Sequence, residues 1–274
     1  MRVGDLDLML SFYVKDLGLK MLRPHDGLVE LRTAGSSSEP LLVLYHDAKA
    51  EVAPEDAAGL YHYAILLPDR RTLAAAYLAL RNRGVTFEGF ADHLVSEALY
   101  LTDPEGNGIE IYVDRPRSEW KFDEDGRLKM STEPLDIDSL IKESPQVPPG
   151  SLEPLPDDAK IGHIHLKVAD IDRSILFYRD ILGFDLMSYW GSAAFLSAGR
   201  YHHHLGINTW ESLGGPGKPK TAIGLEYFII RASQENLHEL ALRLTGTPFL
   251  QAQEHSQLFL SDPDSIELVI KPSS

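Results

Sequence analysis

The chain repeats itself, and the repeat leaves few folds open. The pattern D-L-D-x4-F-Y-x4-G runs from Asp5 through Phe12 and Tyr13 to Gly18. D-I-D-x4-F-Y-x4-G runs from Asp170 through Phe177 and Tyr178 to Gly183, displaced by 165 residues (170 − 5) at every matched position. Gly59-Leu60-Tyr61-His62 faces Gly224-Leu225-Glu226-Tyr227 at the same displacement. A helical apolar spacing follows each of these, through Leu73, Tyr77 and Leu80 or through Leu237, Leu240 and Leu244. Both copies close on a similar strand, Tyr100 to Glu110 and Phe259 to Glu267, the later one two residues shorter in its turn.

The repeat resolves into four modules, 1–50, 56–115, 160–212 and 220–272, each reading strand–helix–strand–strand–strand. This is an α+β pattern. A lone module has one apolar sheet face that it cannot cover, whereas two modules side by side form a curled eight-stranded cup. Inward positions near the strand middles are where a ligand or metal would sit. The first pair of modules occupies 1–115 and the second 160–274. The tract 116–159 between them is rich in acid and in proline (Pro145, Pro148, Pro149, Pro154, Pro156), with one weak helical stretch near Ile137–Glu143. It reads as a long surface connection.

Composition narrows the chemistry. There is no Cys, which excludes disulfides, iron–sulfur clusters, thiolate zinc sites and Cys nucleophiles. Any metal must be held by His, Asp and Glu. The formal charge of −15 is opposite to what a nucleic-acid or anionic-membrane binder needs. The start has no apolar core of a secretion signal and no apolar run is long enough to span a bilayer, so a cytoplasmic protein is expected. A homo-oligomer is compatible with the sequence.

Five motifs stand in order: Gly59-Leu-Tyr-His62 through Asp69, Asp92-His93 through Tyr100, Asp103-Pro-Glu-Gly-Asn-Gly-Ile-Glu110, Gly162-His163-Ile-His165 through Asp170, and Tyr201-His-His-His204 through Trp210. Together they resemble the vicinal oxygen chelate superfamily, which includes glyoxalases, fosfomycin resistance proteins and extradiol ring-cleaving dioxygenases. The nearest likeness is to two-domain catechol 2,3-dioxygenase-like proteins, over nearly the whole chain apart from 116–159.

The resemblance implies a metal ligand seven residues before the Asp that opens each helix, and a carboxylate ligand on the last strand of one module. The first-strand position is His62 in module two and His163 in module three. It falls before Met1 in module one, and is Tyr227 or, one residue earlier, Glu226 in module four. The last-strand carboxylates are Glu110 and Glu267. Pairing module two with three, and one with four, puts His62, His163 and Glu110 in one cup. Sequential pairing leaves every cup short of a ligand. Two imidazoles and one carboxylate form the facial set that suits Fe(II) with open positions, although Mn(II), Zn(II) or Ni(II) could use the same donors.

The same resemblance implies an acid–base His, best matched by His203 with His202 and His204 as alternatives, and a Tyr ten residues before the carboxylate, Tyr100. His93 and Trp210 would line the substrate pocket. The implied activity is extradiol cleavage of a small aromatic diol by O2. Two other activities suit the scaffold: a glyoxalase-like metal-dependent isomerase or transferase, and a non-catalytic protein that binds an aromatic drug. Competing structural roles are plain. His165 shares a strand face with His163, the histidine run could be surface, the Phe-Tyr pairs suit helix cores, and Asp103 to Gly108 suits a hairpin turn.

Overall fold

Each Asp that opens a repeat caps a helix. The carboxylates of Asp5, Asp69 and Asp170 accept from the backbone N–H three residues on, and Ser233 does the same in module four. The computed structural model describes residues 1–22, 27–35, 40–124, 127–145, 150 and 152–273; Pro148 and Pro149 lie outside these.

All four modules have the expected order. Module one contains β1 (Arg2–Val3), α1 (Leu6–Leu10), β2 (Lys20–Met21), β3 (Leu28–Arg32) and β4 (Leu42–His46). Module two contains β5 (Gly59–Leu67), α2 (Arg70–Asn82), β6 (Gly89–Asp92), β7 (Ser96–Thr102) and β8 (Gly108–Asp114). The tract beyond it forms β9 (Glu133–Pro134) and α3 (Ile137–Lys142). Module three contains β10 (Lys160–Lys167), α4 (Ile171–Ile175), β11 (Asp185–Tyr189), β12 (Ala193–Ser197) and β13 (Leu205–Asn208). Module four contains β14 (Tyr227–Ala232), α5 (Gln234–Leu244), β15 (Leu250–Glu254), β16 (Gln257–Ser261) and β17 (Glu267–Pro272). Among the described residues no helix is long and apolar enough to cross a membrane.

The chain divides into two compact units. One comprises residues 2–50 and 61–164; the other comprises Met1, 51–60 and 165–274. In the first unit, module one forms the sheet β1–β4–β3–β2, and the neighbouring strands of the second sheet run β10–β5–β8–β7–β6–β9. Residues 160–164 of β10 thus belong with module two, which brings the first strand of module three beside β5. In the other unit, β11–β12–β13 lie side by side, and module four forms β14–β17–β16–β15.

The 116–159 tract does more than connect. Leu128, Leu135 and Leu140 are buried, and β9 extends the sheet at β6. Arg70 of α2 holds α3 through the Ser139 hydroxyl at 3.3 Å, and the same guanidinium pairs with buried Glu97 at 2.6 Å.

The Phe-Tyr repeat has a role that spacing hides. In both copies the helix continues as π-helical turns, Ser11–Asp16 and Leu176–Ile181, and the Tyr inside each is fully buried. The Tyr13 hydroxyl donates to Asp103 at 2.7 Å, and Tyr178 donates to Asp262 at 2.8 Å. Each Asp opens the Asp-Pro turn of the following module. Its other oxygen accepts the backbone N–H four residues on, from Asn107 at 2.9 Å and Ile266 at 2.8 Å. The two-residue deletion therefore leaves the pin between modules intact.

Burial pushes the Asp262 carboxyl up to about 6 despite the donors around it, and the neighbouring Asp264 adds to the rise. A folded-state value above the unfolded one means that this group stabilises the protein when protonated. That contribution is complete below about pH 4 and is lost as pH rises through about 6, a difference of about 3 kcal/mol. Urea titrations of the wild type and Asp262→Asn should therefore diverge between these values, the wild type losing stability relative to the variant. Parallel pH profiles would show that the buried carboxyl is already ionised at acid pH.

Candidate metal centre

Strand register places three polar side chains on one face of module two. In the parallel pair β5 and β8, Ala64 stands opposite Glu110, and His62 is two residues from Ala64 on the same face. In the antiparallel pair β7 and β8, Tyr100 stands directly opposite Glu110. Strand β8 is buried on both faces, so Ile109 and Ile111 fill one side while Glu110, only 2% exposed, is held on the other with Tyr112.

His163 arrives from β10. The residue before it must be Gly162, because a Cβ there would lie 2.0 Å from the Tyr112 hydroxyl oxygen. That close approach seats the Tyr112 ring 4.8 Å from the His163 ring. His62 Nε2 and His163 Nε2 each lie 3.0 Å from the same oxygen, Oε2 of Glu110. All three residues are buried, and their ligand atoms lie within 4.8 Å of one another, the single such group among the described residues.

The donor set fits a divalent metal on its chemistry: two imidazole nitrogens and one carboxylate oxygen converge in a single buried site. Burial alone would raise the Glu110 carboxyl, but the imidazoles of His163 and His62 outweigh it and hold the group well below the usual carboxylate range. A carboxylate ionised in a dry site carries a penalty of several kcal/mol, which a cation would offset.

Tyr100 borders the centre, its ring 5.6 Å from that of His62. Burial raises its hydroxyl well above the ordinary value and the Glu110 carboxylate raises it further, so it stays a proton donor. His93 receives that proton's hydrogen bond: its Nε2 lies 2.7 Å from the Tyr100 hydroxyl, and its Nδ1 lies 2.8 Å from the Ser131 carbonyl. A carbonyl only accepts, so in the neutral ring the proton sits on Nδ1 and the Nε2 lone pair faces Tyr100. His93 therefore reaches the centre through Tyr100. The Ser131 carbonyl comes from the tract after module two, and sequence spacing carries no signal for it.

The other unit holds the remaining residues. The His202–His204 run is not on a strand; it lies in a bend ahead of β13, so strand alternation does not govern it. His202 and His203 are both buried, with their Nδ1 atoms 2.7 Å apart, while His204 is exposed. The surface reading thus holds only for His204. His165 is committed elsewhere: its Nε2 accepts from the Asn208 amide at 3.1 Å, and its ring packs 5.6 Å from that of Trp210. Trp210 is half-exposed and donates through Nε1 to Ser192. In module four the cap is Ser233, so the position seven residues earlier is Glu226, and Tyr227 is exposed. Glu267 makes a half-exposed ion pair with Lys220.

The profile of the Glyoxalase/Bleomycin resistance protein/Dioxygenase superfamily matches residues 1–111 and 160–270. The catechol-2,3-dioxygenase of Bacillus subtilis (strain 168) is 42% identical over 267 residues, covering 96% of this chain and 92% of that protein. Among solved structures, glyoxalase I from Zea mays has a TM-score of 0.56 at 17% identity, covering 98% of this chain and 89% of its own. The cppA protein of Streptococcus pneumoniae has a TM-score of 0.59 at 12% identity, covering 100% of this chain and 95% of its own. At such identities the structural likeness is one of fold.

Proposed function

Because this chain belongs to the Glyoxalase/Bleomycin resistance protein/Dioxygenase superfamily, we propose that it is an extradiol ring-cleaving dioxygenase that uses Fe(II) and O2 on a catechol-type diol. The observation that carries this reading is the buried group of two imidazoles and one carboxylate with a protonated Tyr beside it. A glyoxalase-type centre usually adds a second carboxylate, and the group among the described residues has one. The 42% identity to a catechol-2,3-dioxygenase points the same way.

His62, His163 and Glu110 would hold the ion. A ferrous ion held there would supply the Lewis-acid and redox chemistry for joining a diol to dioxygen. The chain's own groups then position and move protons. The Tyr100 hydroxyl, whose single proton rests on the His93 bond, would turn that proton to the substrate oxygen as charge develops on it. Both atoms of O2 enter the product, and the ring bond beside the diol breaks.

Oxygen uptake decides the matter. Protein reconstituted with Fe(II) should consume one O2 per catechol and give a yellow ring-fission product. An iron-loaded protein that consumes no O2 with catechol or its 3- or 4-substituted forms, yet isomerises a hemithioacetal, would transfer the reading to the glyoxalase branch.

A further inference from the structure

Gly162 lies inside β10, where a glycine weakens a strand unless another group must come close. Its backbone is not in the left-handed region. The repeat does not call for it either, since module two carries Tyr61 at the matching place, directly before His62. The group that requires it is Tyr112. A Cβ at position 162 would lie 2.0 Å from the Tyr112 hydroxyl oxygen, 2.8 Å from the ring carbon that bears it and 3.0 Å from Leu66 Cβ.

Small residues make the socket for that ring. Opposite Tyr112 stand Ala98 on β7 and Leu66 on β5. Tyr112 is wholly buried in a cluster with Ala64 and Ala98, and Leu66 and Tyr100 pack against it. The ring fills the space that Ala64, Ala98 and Gly162 leave free, and its centre lies 4.8 Å from that of His163. All of these residues belong to the same compact unit as His62 and Glu110. Tyr112 follows Glu110 by two residues and so shares its face of β8. The strand that carries the carboxylate thus also carries the wall against which His163 rests. We propose that Tyr112 is a positioning residue for the metal: its ring, admitted by Gly162, holds the His163 imidazole toward Glu110 Oε2. This inference rests on the centre of His62, His163 and Glu110 proposed above.

The full chain loaded with Co(II) tests it, with chelator competition reading affinity and visible absorption reading ligand geometry. Gly162→Ala should hold cobalt about 10- to 100-fold more weakly, the cost of a ligand no longer oriented, and its absorption bands should shift. Gly162→Ala combined with Tyr112→Phe should bind more tightly than Gly162→Ala alone and regain the wild-type bands in part. The contact at 2.0 Å is then gone and the one at 2.8 Å remains. Tyr112→Leu makes room but takes the ring from His163, and should weaken binding as Gly162→Ala does. A merely structural role would lower the melting temperature and leave the bands of the folded protein in place. That result, wild-type affinity in Gly162→Ala or Tyr112→Leu, or a double variant no better than Gly162→Ala, overturns the inference. If Glu110→Ala loses cobalt while Gly162→Ala holds it as the wild type does, only this inference fails. If Glu110→Ala keeps its cobalt, the centre and this inference fall together.

Discussion

Glu110→Ala, His62→Ala and His163→Ala should each purify without metal, where the wild type carries one ion per chain. Even residues that only orient a ligand cost about 10- to 100-fold in affinity, so loss of a ligand itself should exceed about 100-fold. Glu110→Ala is expected to be the most severe, because it removes the only negative charge from the buried group. The variant should still fold. The two imidazoles outweigh the burial penalty on the carboxylate, so its removal leaves them without their partner and lowers the stability of the metal-free protein without abolishing the fold. Melting of the metal-free forms should therefore separate loss of binding from loss of fold. Elemental analysis of untagged protein measures the ratio; one ion per chain in all three variants would place the metal elsewhere.

Tyr100→Phe should retain its metal and lose about 10²- to 10³-fold in kcat with catechol, the cost of deleting one positioned donor in a dry site. The argument is electrostatic. Burial and the Glu110 carboxylate raise the hydroxyl well above its ordinary value, so the proton stays on Tyr100. In the resting site that proton is donated to His93 Nε2, 2.7 Å away, which anchors the ring. His93→Ala should then show a smaller loss, about 10-fold, because the donor survives but its ring loses the partner that anchors it. Unchanged kcat in Tyr100→Phe would reduce the hydroxyl to a packing group.

Much of the architecture was legible because it is written in short intervals. Asp69 and Asp170 are helix caps, and a cap depends on residues three apart. The distance from each cap back to His62 or His163 is likewise local, and β-strand alternation then decides which side chains share a face. The Phe-Tyr repeat was legible as helix core, but its partners Asp103 and Asp262 stand 90 and 84 residues away. The histidine run borders a strand without belonging to it, so strand alternation does not decide which of its side chains are buried.

The order of strands and helices, their caps and the types of donor available were settled along the chain, since all depend on neighbours in sequence and on the absence of Cys. Bringing β10 beside β5, so that Glu110 Oε2 stands 3.0 Å from both imidazoles, was settled in three dimensions. So were the tautomer of His93, dictated by a carbonyl 38 residues away, and the meeting of His202 with His203. Hydrogen bonds and coordination act over about 3 Å, and only packing decides which distant groups come that close.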